Sequence, residues 1–184
     1  SLISIMYANN EIGTMEPIEE IGHLAQRNDI LFHTDAVQAV GQIPISVQKL
    51  PIDMLSASAH KFHGPKGVGF LYVREGTALP SFIHGGAQER GKRAGTENVA
   101  GAVGMAKALA IANKEILRKS RELTQLRNYF IRRVTTEIPE VVLNGHKETR
   151  LPGNVNLSFK DVSGVALLVL LEEEGIFASA GSAC

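Results

Sequence analysis

The chain has 184 residues and 19.8 kDa, with 19 basic side chains against 19 acidic and a hydrophobic fraction of 44%. That length can enclose a core, and the composition is that of a globular chain rather than a disordered one. Zero formal net charge gives no electrostatic case for nucleic acid as a main partner. A single cysteine excludes an intrachain disulfide and a Cys-rich zinc site.

No apolar run approaches the roughly 20 residues needed to cross a bilayer, so no membrane partner is expected. The chain opens at Ser1 inside an apolar run and stops on Cys184. It is therefore expected to be an internal piece of a longer protein. Eighteen glycines against ten aromatic residues suggest an interior where backbone packs closely.

Residues 2–8 form an apolar run ending in Asn9-Asn10-Glu11, which predicts a buried strand with polar groups at its C-terminal end. Pro17-Ile18-Glu19-Glu20 opens a helix whose apolar face is expected at Ile18, Ile21, Leu24 and Ala25. A second strand at 30–35 runs into Asp35. Strand, helix and strand in this order imply a parallel sheet. Further strands are predicted at 52–59 and 67–73, followed by a glycine-broken polar loop at 84–98 with Thr96 as helix cap.

Two helices are expected next, at 97–112 and 114–137. The second should bury Ile116, Leu123, Leu126, Phe130 and Val134, with its basic residues forming a solvated face. Short strands near 141–143 and 154–159 and a helix at 164–174 ending at Gly175 complete the pattern. The expected division lies near Ile138-Pro139, between a domain of residues 1–137 and one of 138–184. The fold class is thus α/β, with a mainly parallel sheet and part of a smaller α+β domain.

The strongest chemical signal is Ser56-Ala57-Ser58-Ala59-His60-Lys61. A lysine after an apolar strand, among tiny residues, is expected to be buried. Burial favours the neutral amine that attacks a carbonyl, and the small neighbours leave room for a bulky adduct. Position alone equally allows a surface lysine. Asp35, at the end of a neighbouring strand, could hold a pyridine nitrogen protonated, with Gln38 bonding the same ring. Its bland alternative is a helix cap. Together, Asp35 and Lys61 suggest a pyridoxal phosphate site. Arg93-Ala94-Gly95-Thr96 before a helix adds a possible phosphate contact. His60 and His63 do not have a strong zinc spacing, and no metal is expected.

Six segments carry a resemblance: Tyr7-Ala8-Asn9-Asn10-Glu11-Ile12-Gly13, His33-Thr34-Asp35-Ala36-Val37-Gln38, Ser58-Ala59-His60-Lys61, Gly64-Pro65-Lys66-Gly67, Arg93-Ala94-Gly95-Thr96 and Ser179-Ala180-Gly181-Ser182-Ala183-Cys184. In this order and spacing the chain resembles the pyridoxal-phosphate-dependent cysteine desulfurases of the NifS/IscS type, of group I. The resemblance implies a fold-type I, aspartate aminotransferase-like transferase. It implies that Lys61 bonds covalently to the cofactor, that Asp35 pairs with the ring nitrogen, and that Gln38 bonds the ring hydroxyl. Asn10 would lie beside the ring and the substrate carboxylate, Ser58 and His60 would hold the phosphate, and Thr96 would reach the phosphate in a partner subunit.

Cys184 matches the family's nucleophile, whose thiolate takes sulfur from free L-cysteine as a persulfide and leaves alanine. The plain alternative for Cys184 is a small buried hydrophobe. The resemblance further implies a cytoplasmic homodimer that passes sulfur to an acceptor or iron–sulfur scaffold protein. Family members carry a phosphate loop and a ring-stacking histidine before the matching start, and a carboxylate-binding arginine after the matching cysteine. The isolated piece would lack those groups. Two competing readings stand beside this one: a selenocysteine lyase or other class-V aminotransferase-type enzyme, and a non-catalytic folding or interface piece.

Overall fold

The computed structural model describes residues 1–181, which divide into two compact units. The first comprises Ser1–Tyr7 and Pro17–Glu115, and the second comprises Ala8–Glu16 and the chain from Ile116 onward.

The first unit is built on a four-stranded sheet in the order β1 (Leu2–Met6), β2 (Leu31–Asp35), β3 (Met54–Ser58), β4 (Gly69–Val73). The first three strands are parallel and β4 runs antiparallel to β3. Side chains alternate between faces along each strand. Ile3, Ile5, Phe32, Thr34, Leu55, Ala57, Phe70 and Tyr72 share one face, and all the apolar members belong to the core cluster or pack against it. Phe32 and Thr34 are fully buried there.

Helix α1 (Ile18–Arg27) covers part of this face through Ile18, Gly22 and Ala25. Gly22 is required by close approach, since a Cβ would stand 2.4 Å from the Pro51 carbonyl oxygen. The expected helix face is correct for Ile18 and Ala25 but not for Leu24, which is 53% exposed. At 3.6 residues per turn, Leu24 points roughly 120° away from Ile18.

The expected pair of helices is a single helix, α2 (Val99–Glu137). Ala112-Asn113-Lys114 contains neither Pro nor Gly, and one interior Asn costs too little to stop a helix. Met105, Ala108, Leu109 and Ala112 of α2 join the first core. The helix starts at Val99, so Thr96 is not its cap. Asn98 takes that place, its Oδ1 accepting the Gly101 N–H at 3.0 Å.

In the second unit, β5 (Val141–Leu143) and β6 (Leu157–Phe159) pair antiparallel. Helix α3 (Gly164–Glu173) ends with the Gly175 N–H donating to Glu172 O and the Ile176 N–H to Leu171 O. This is a Schellman stop on a left-handed glycine, at the residue the sequence predicts. The α2 pattern is corrected here as well. Leu126 is 64% and Phe130 49% exposed, whereas Arg127 is 7% exposed. Arg127 leaves the basic face because its Nη1 donates to the Arg150 and Leu151 carbonyls, at 3.1 and 2.9 Å. Apolar periodicity cannot register a guanidinium that finds carbonyl partners in the interior.

Thr34 carries a buried Oγ1 with no hydrogen-bond partner. Replacing it with Val removes that orphan at nearly constant shape, so Thr34→Val is expected to raise unfolding stability by about 1 kcal/mol. Phe32→Ala on the same strand should lower it by about 3–5 kcal/mol. Denaturant unfolding of both variants measures the contrast, and a destabilised Thr34→Val would show that the hydroxyl is satisfied.

Candidate active site on the strand rim

The parallel strands β2 and β3 end on the same side of the sheet, β3 two residues further on. Asp35 is the last residue of β2 and sits in register with Ser56, two residues before the end of β3 at Ser58. The Asp35 backbone is tied on both sides. Its carbonyl accepts the Tyr7 N–H at 2.7 Å, and the next amide, that of Ala36, donates to Ser56 O at 2.9 Å. The exposed Asp35 carboxylate uses Oδ1 to accept the Val37 N–H at 2.9 Å. The chain then coils, with the Ala39 and Val40 amides both donating to Ala36 O. Gln38 is half-buried on that coil. The helix cap weighed for Asp35 is not what forms, since no helix directly follows it; the carboxylate instead closes a turn with Val37. That bond occupies one oxygen and orients the carboxylate.

Beyond Ser58 the chain tightens into a 3-10 turn, Ala59–Phe62, which carries His60 and Lys61. The Ser58 hydroxyl lies 2.8 Å from His60 Nδ1. Ala59 and Phe62 are buried while Lys61 between them is half-buried. Lys61 thus falls between the buried and the surface lysine that position allowed: the turn buries its neighbours and leaves it at the rim. Gln42 Nε2 donates to the Lys61 carbonyl at 3.4 Å. His63 closes the turn in a left-handed conformation, and the Gly64 N–H donates to Ala59 O at 2.8 Å.

Small residues make this turn possible. A Cβ on Gly41 would stand 2.6 Å from Phe62 Cβ, and one on Gly104 of α2 would stand 2.8 Å from Pro65 Cγ. The glycine-rich composition thus has a local meaning, because it lets backbone close in around the Lys61 turn.

Among the remaining predicted site residues, Thr96 stands exposed on the loop before α2. Asn10 is half-buried in a turn of the second unit, where Asn9 Oδ1 accepts the Glu11 and Ile12 amides. Cys184 lies outside the described residues.

One residue of this rim has no role in the sequence reading. His33 Nδ1 lies 2.8 Å from the Ser4 hydroxyl, and Nε2 lies 3.2 Å from the Ser56 hydroxyl. The ring ties three strands together on the face opposite the core, two residues before β2 ends. A histidine in a strand that sits between two others bearing serines is the available signal, but it requires the register to be known.

The whole chain, residues 1–184, matches the model of the family described as aminotransferase class-V. The chain belongs to the class-V aminotransferase family. It is 57% identical over 183 residues to a cysteine desulfurase IscS of Dictyoglomus turgidum, covering 100% of this chain and 46% of that protein. It is 56% identical to a cysteine desulfurase IscS of Methanosarcina thermophila, covering 100% of this chain and 45% of that one. Among solved structures, a NifS-like protein superposes with a TM-score of 0.89 at 42% identity, over 97% of this chain and 49% of that one. A structure of DndA from Streptomyces lividans gives 0.82 at 34% identity, over 94% and 49%. The class-V chain therefore has the expected α/β, fold-type I architecture. It spans about half the length of the curated relatives it matches.

Gly41 and Gly67 both have positive φ, of 79° and 75°, but a Cβ on Gly67 meets nothing within 4 Å. Gly67→Ala should therefore cost only the backbone strain of about 1–2 kcal/mol. Gly41→Ala should cost more, because Phe62 must also move. Denaturant unfolding of both variants should show the larger loss for Gly41→Ala, and equal losses would show that Phe62 gives way without cost.

Proposed function

We propose that this chain is the cofactor-holding part of a pyridoxal-phosphate-dependent cysteine desulfurase. The observation that carries this reading is the donor set on one strand rim. It offers an amine at Lys61, a carboxylate at Asp35 with one oxygen not engaged by the Val37 turn, a hydroxyl–imidazole pair at Ser58 and His60, and an amide at Gln38. These groups fit pyridoxal phosphate in kind: an amine for its carbonyl carbon, a carboxylate for its ring N–H, a hydroxyl and an imidazole for its phosphate and an amide for its ring hydroxyl. When bound, the cofactor supplies an electron sink for bond breaking at the α-carbon of an amino acid.

The chain's own residues do the rest. The Lys61 amine would hold the cofactor covalently in the resting enzyme and, once the amine of L-cysteine takes its place, would be free to move the α-proton. Asp35 keeps the ring nitrogen protonated, and its own orientation is set by the Val37 amide. Ser58 and His60 bind the phosphate, Asn10 faces the ring and the substrate carboxylate, and Thr96 contributes to the phosphate site of a second subunit. The Cys184 thiolate accepts the substrate sulfur, leaving a persulfide on Cys184 and releasing alanine.

The same proposal includes the division into residues 1–137 and 138–184, a homodimer, an iron–sulfur scaffold or other sulfur acceptor as partner, and a cytoplasmic setting. The exposed position of Thr96 supports the dimer. A lone cysteine used as a thiolate suits a reducing compartment.

In the full-length protein, Cys184→Ala should keep the yellow cofactor and stop the formation of alanine and sulfide from cysteine. Unchanged turnover would remove the persulfide step. Lys61→Ala should abolish borohydride-stable attachment of the cofactor, and full activity of that variant would remove the pyridoxal reading itself.

A further inference from the structure

The second unit contains an arginine in an unusual setting. Arg150 is 2% exposed and has no carboxylate among the hydrogen-bond partners of its guanidinium. Nη1 donates to the carbonyls of Asn144 and His146, at 3.2 and 3.3 Å. Nη2 donates to the Ile12 carbonyl at 2.9 Å and to Asn154 Oδ1 at 3.0 Å. Burial, and then the nearby Arg127 charge, push the Arg150 guanidinium down from the usual arginine range. Burying an unpaired cation is costly, so a position that keeps one draws a specific return from its geometry.

That return is the fastening of one loop. Residues 8–16 cross this unit as a loop, and the groups that hold it come from 146–156. Asn154 Nδ2 and Asn156 Nδ2 both donate to the Glu11 carbonyl, at 3.0 and 3.2 Å. The Leu151 N–H donates to Gly13 O at 2.8 Å, and the His146 N–H to Thr14 Oγ1 at 2.9 Å. Gly13, with φ of 73°, lies so close that a Cβ would stand 2.4 Å from Asn154 Oδ1. The bonds from Arg150, Asn154 and Asn156 land on Glu11 and Ile12, the two residues directly after Asn10.

We propose that Arg150, with Asn154 and Asn156, is a positioning residue that fixes the placement of Asn10 through the carbonyls of Glu11 and Ile12. The inference rests on the reading of Asn10 as a residue beside the cofactor ring and the substrate carboxylate. Lysine cannot replace the arginine in this role. One ammonium is a single point charge, whereas the planar fork directs two nitrogens at acceptors on two sides.

The test uses the full-length protein with pyridoxal phosphate bound. R150K is expected to raise KM for cysteine at least about tenfold, to lower kcat by less, and to shift the cofactor absorbance band, all well below its melting temperature. N156S, which removes one of the two bonds to Glu11 O, should move KM in the same direction by a smaller factor and serves if R150K does not fold. The decisive measurement is the double variant. On an N10A background, R150K or N156S should produce no further change in KM, because both act through Asn10.

Variants that lower only the melting temperature, with KM and absorbance unchanged, would reduce Arg150 to a purely structural residue and overturn the proposal. Effects that multiply with N10A would also overturn it. Failure of the desulfurase reading would show differently, as a wild-type protein with no turnover of cysteine.

Discussion

Phe62 is buried at the end of a four-residue turn, pressed against the place where Gly41 has no side chain, and this packing sets the direction of everything around it. With Ala59 also buried, the 3-10 turn has both ends fixed in the core, and Lys61 is left at the rim between them. The core thus determines where the amine points without burying it. The same economy governs Asp35, whose backbone is bonded to β1 on one side and β3 on the other while its carboxylate remains exposed. Chemistry-bearing side chains here stand on fixed backbone and reach outward from it.

Much of this was legible beforehand where local chemistry and periodicity agree. The parallel strands, the glycine stop of α3 and the place of Asp35 at a strand end follow from apolar runs that end in polar residues. The misreadings share a cause. Leu126 and Phe130 look like core residues on a helical wheel and are half exposed or more, while Arg127 looks like surface and is buried. Hydrophobicity carries no information about where unpaired backbone carbonyls will be waiting. The same blindness conceals Arg150, whose partners lie 138 positions away at Ile12 as well as four away at His146. The unbroken α2 and the cap at Asn98 are smaller cases, each settled by a hydrogen bond or by the absence of a breaker.

The two units weight two kinds of stabilisation differently. In the first, apolar side chains from four strands and two helices exclude water, Thr34 is the buried polar exception, and Arg74 donates to the carbonyls of Val47, Leu50 and Ile52. In the second, side-chain amides and guanidinium groups satisfy loop carbonyls that no strand pairs. The first kind of order tolerates apolar exchange at conserved volume. The second depends on the direction of each donor and fails when one is turned or shortened.

The histidine that joins β1, β2 and β3 has a property of its own. A neutral imidazole donates from one nitrogen and accepts at the other, and a serine hydroxyl can rotate to answer either demand. With Ser4 and Ser56 on its two sides, His33 can exchange tautomers while both hydroxyls turn in concert, and no heavy atom has to move. A protonated ring would donate to both oxygens with equal ease. The lateral link between the strands is thus indifferent to which ring nitrogen carries the proton, and strand alignment does not depend on that choice.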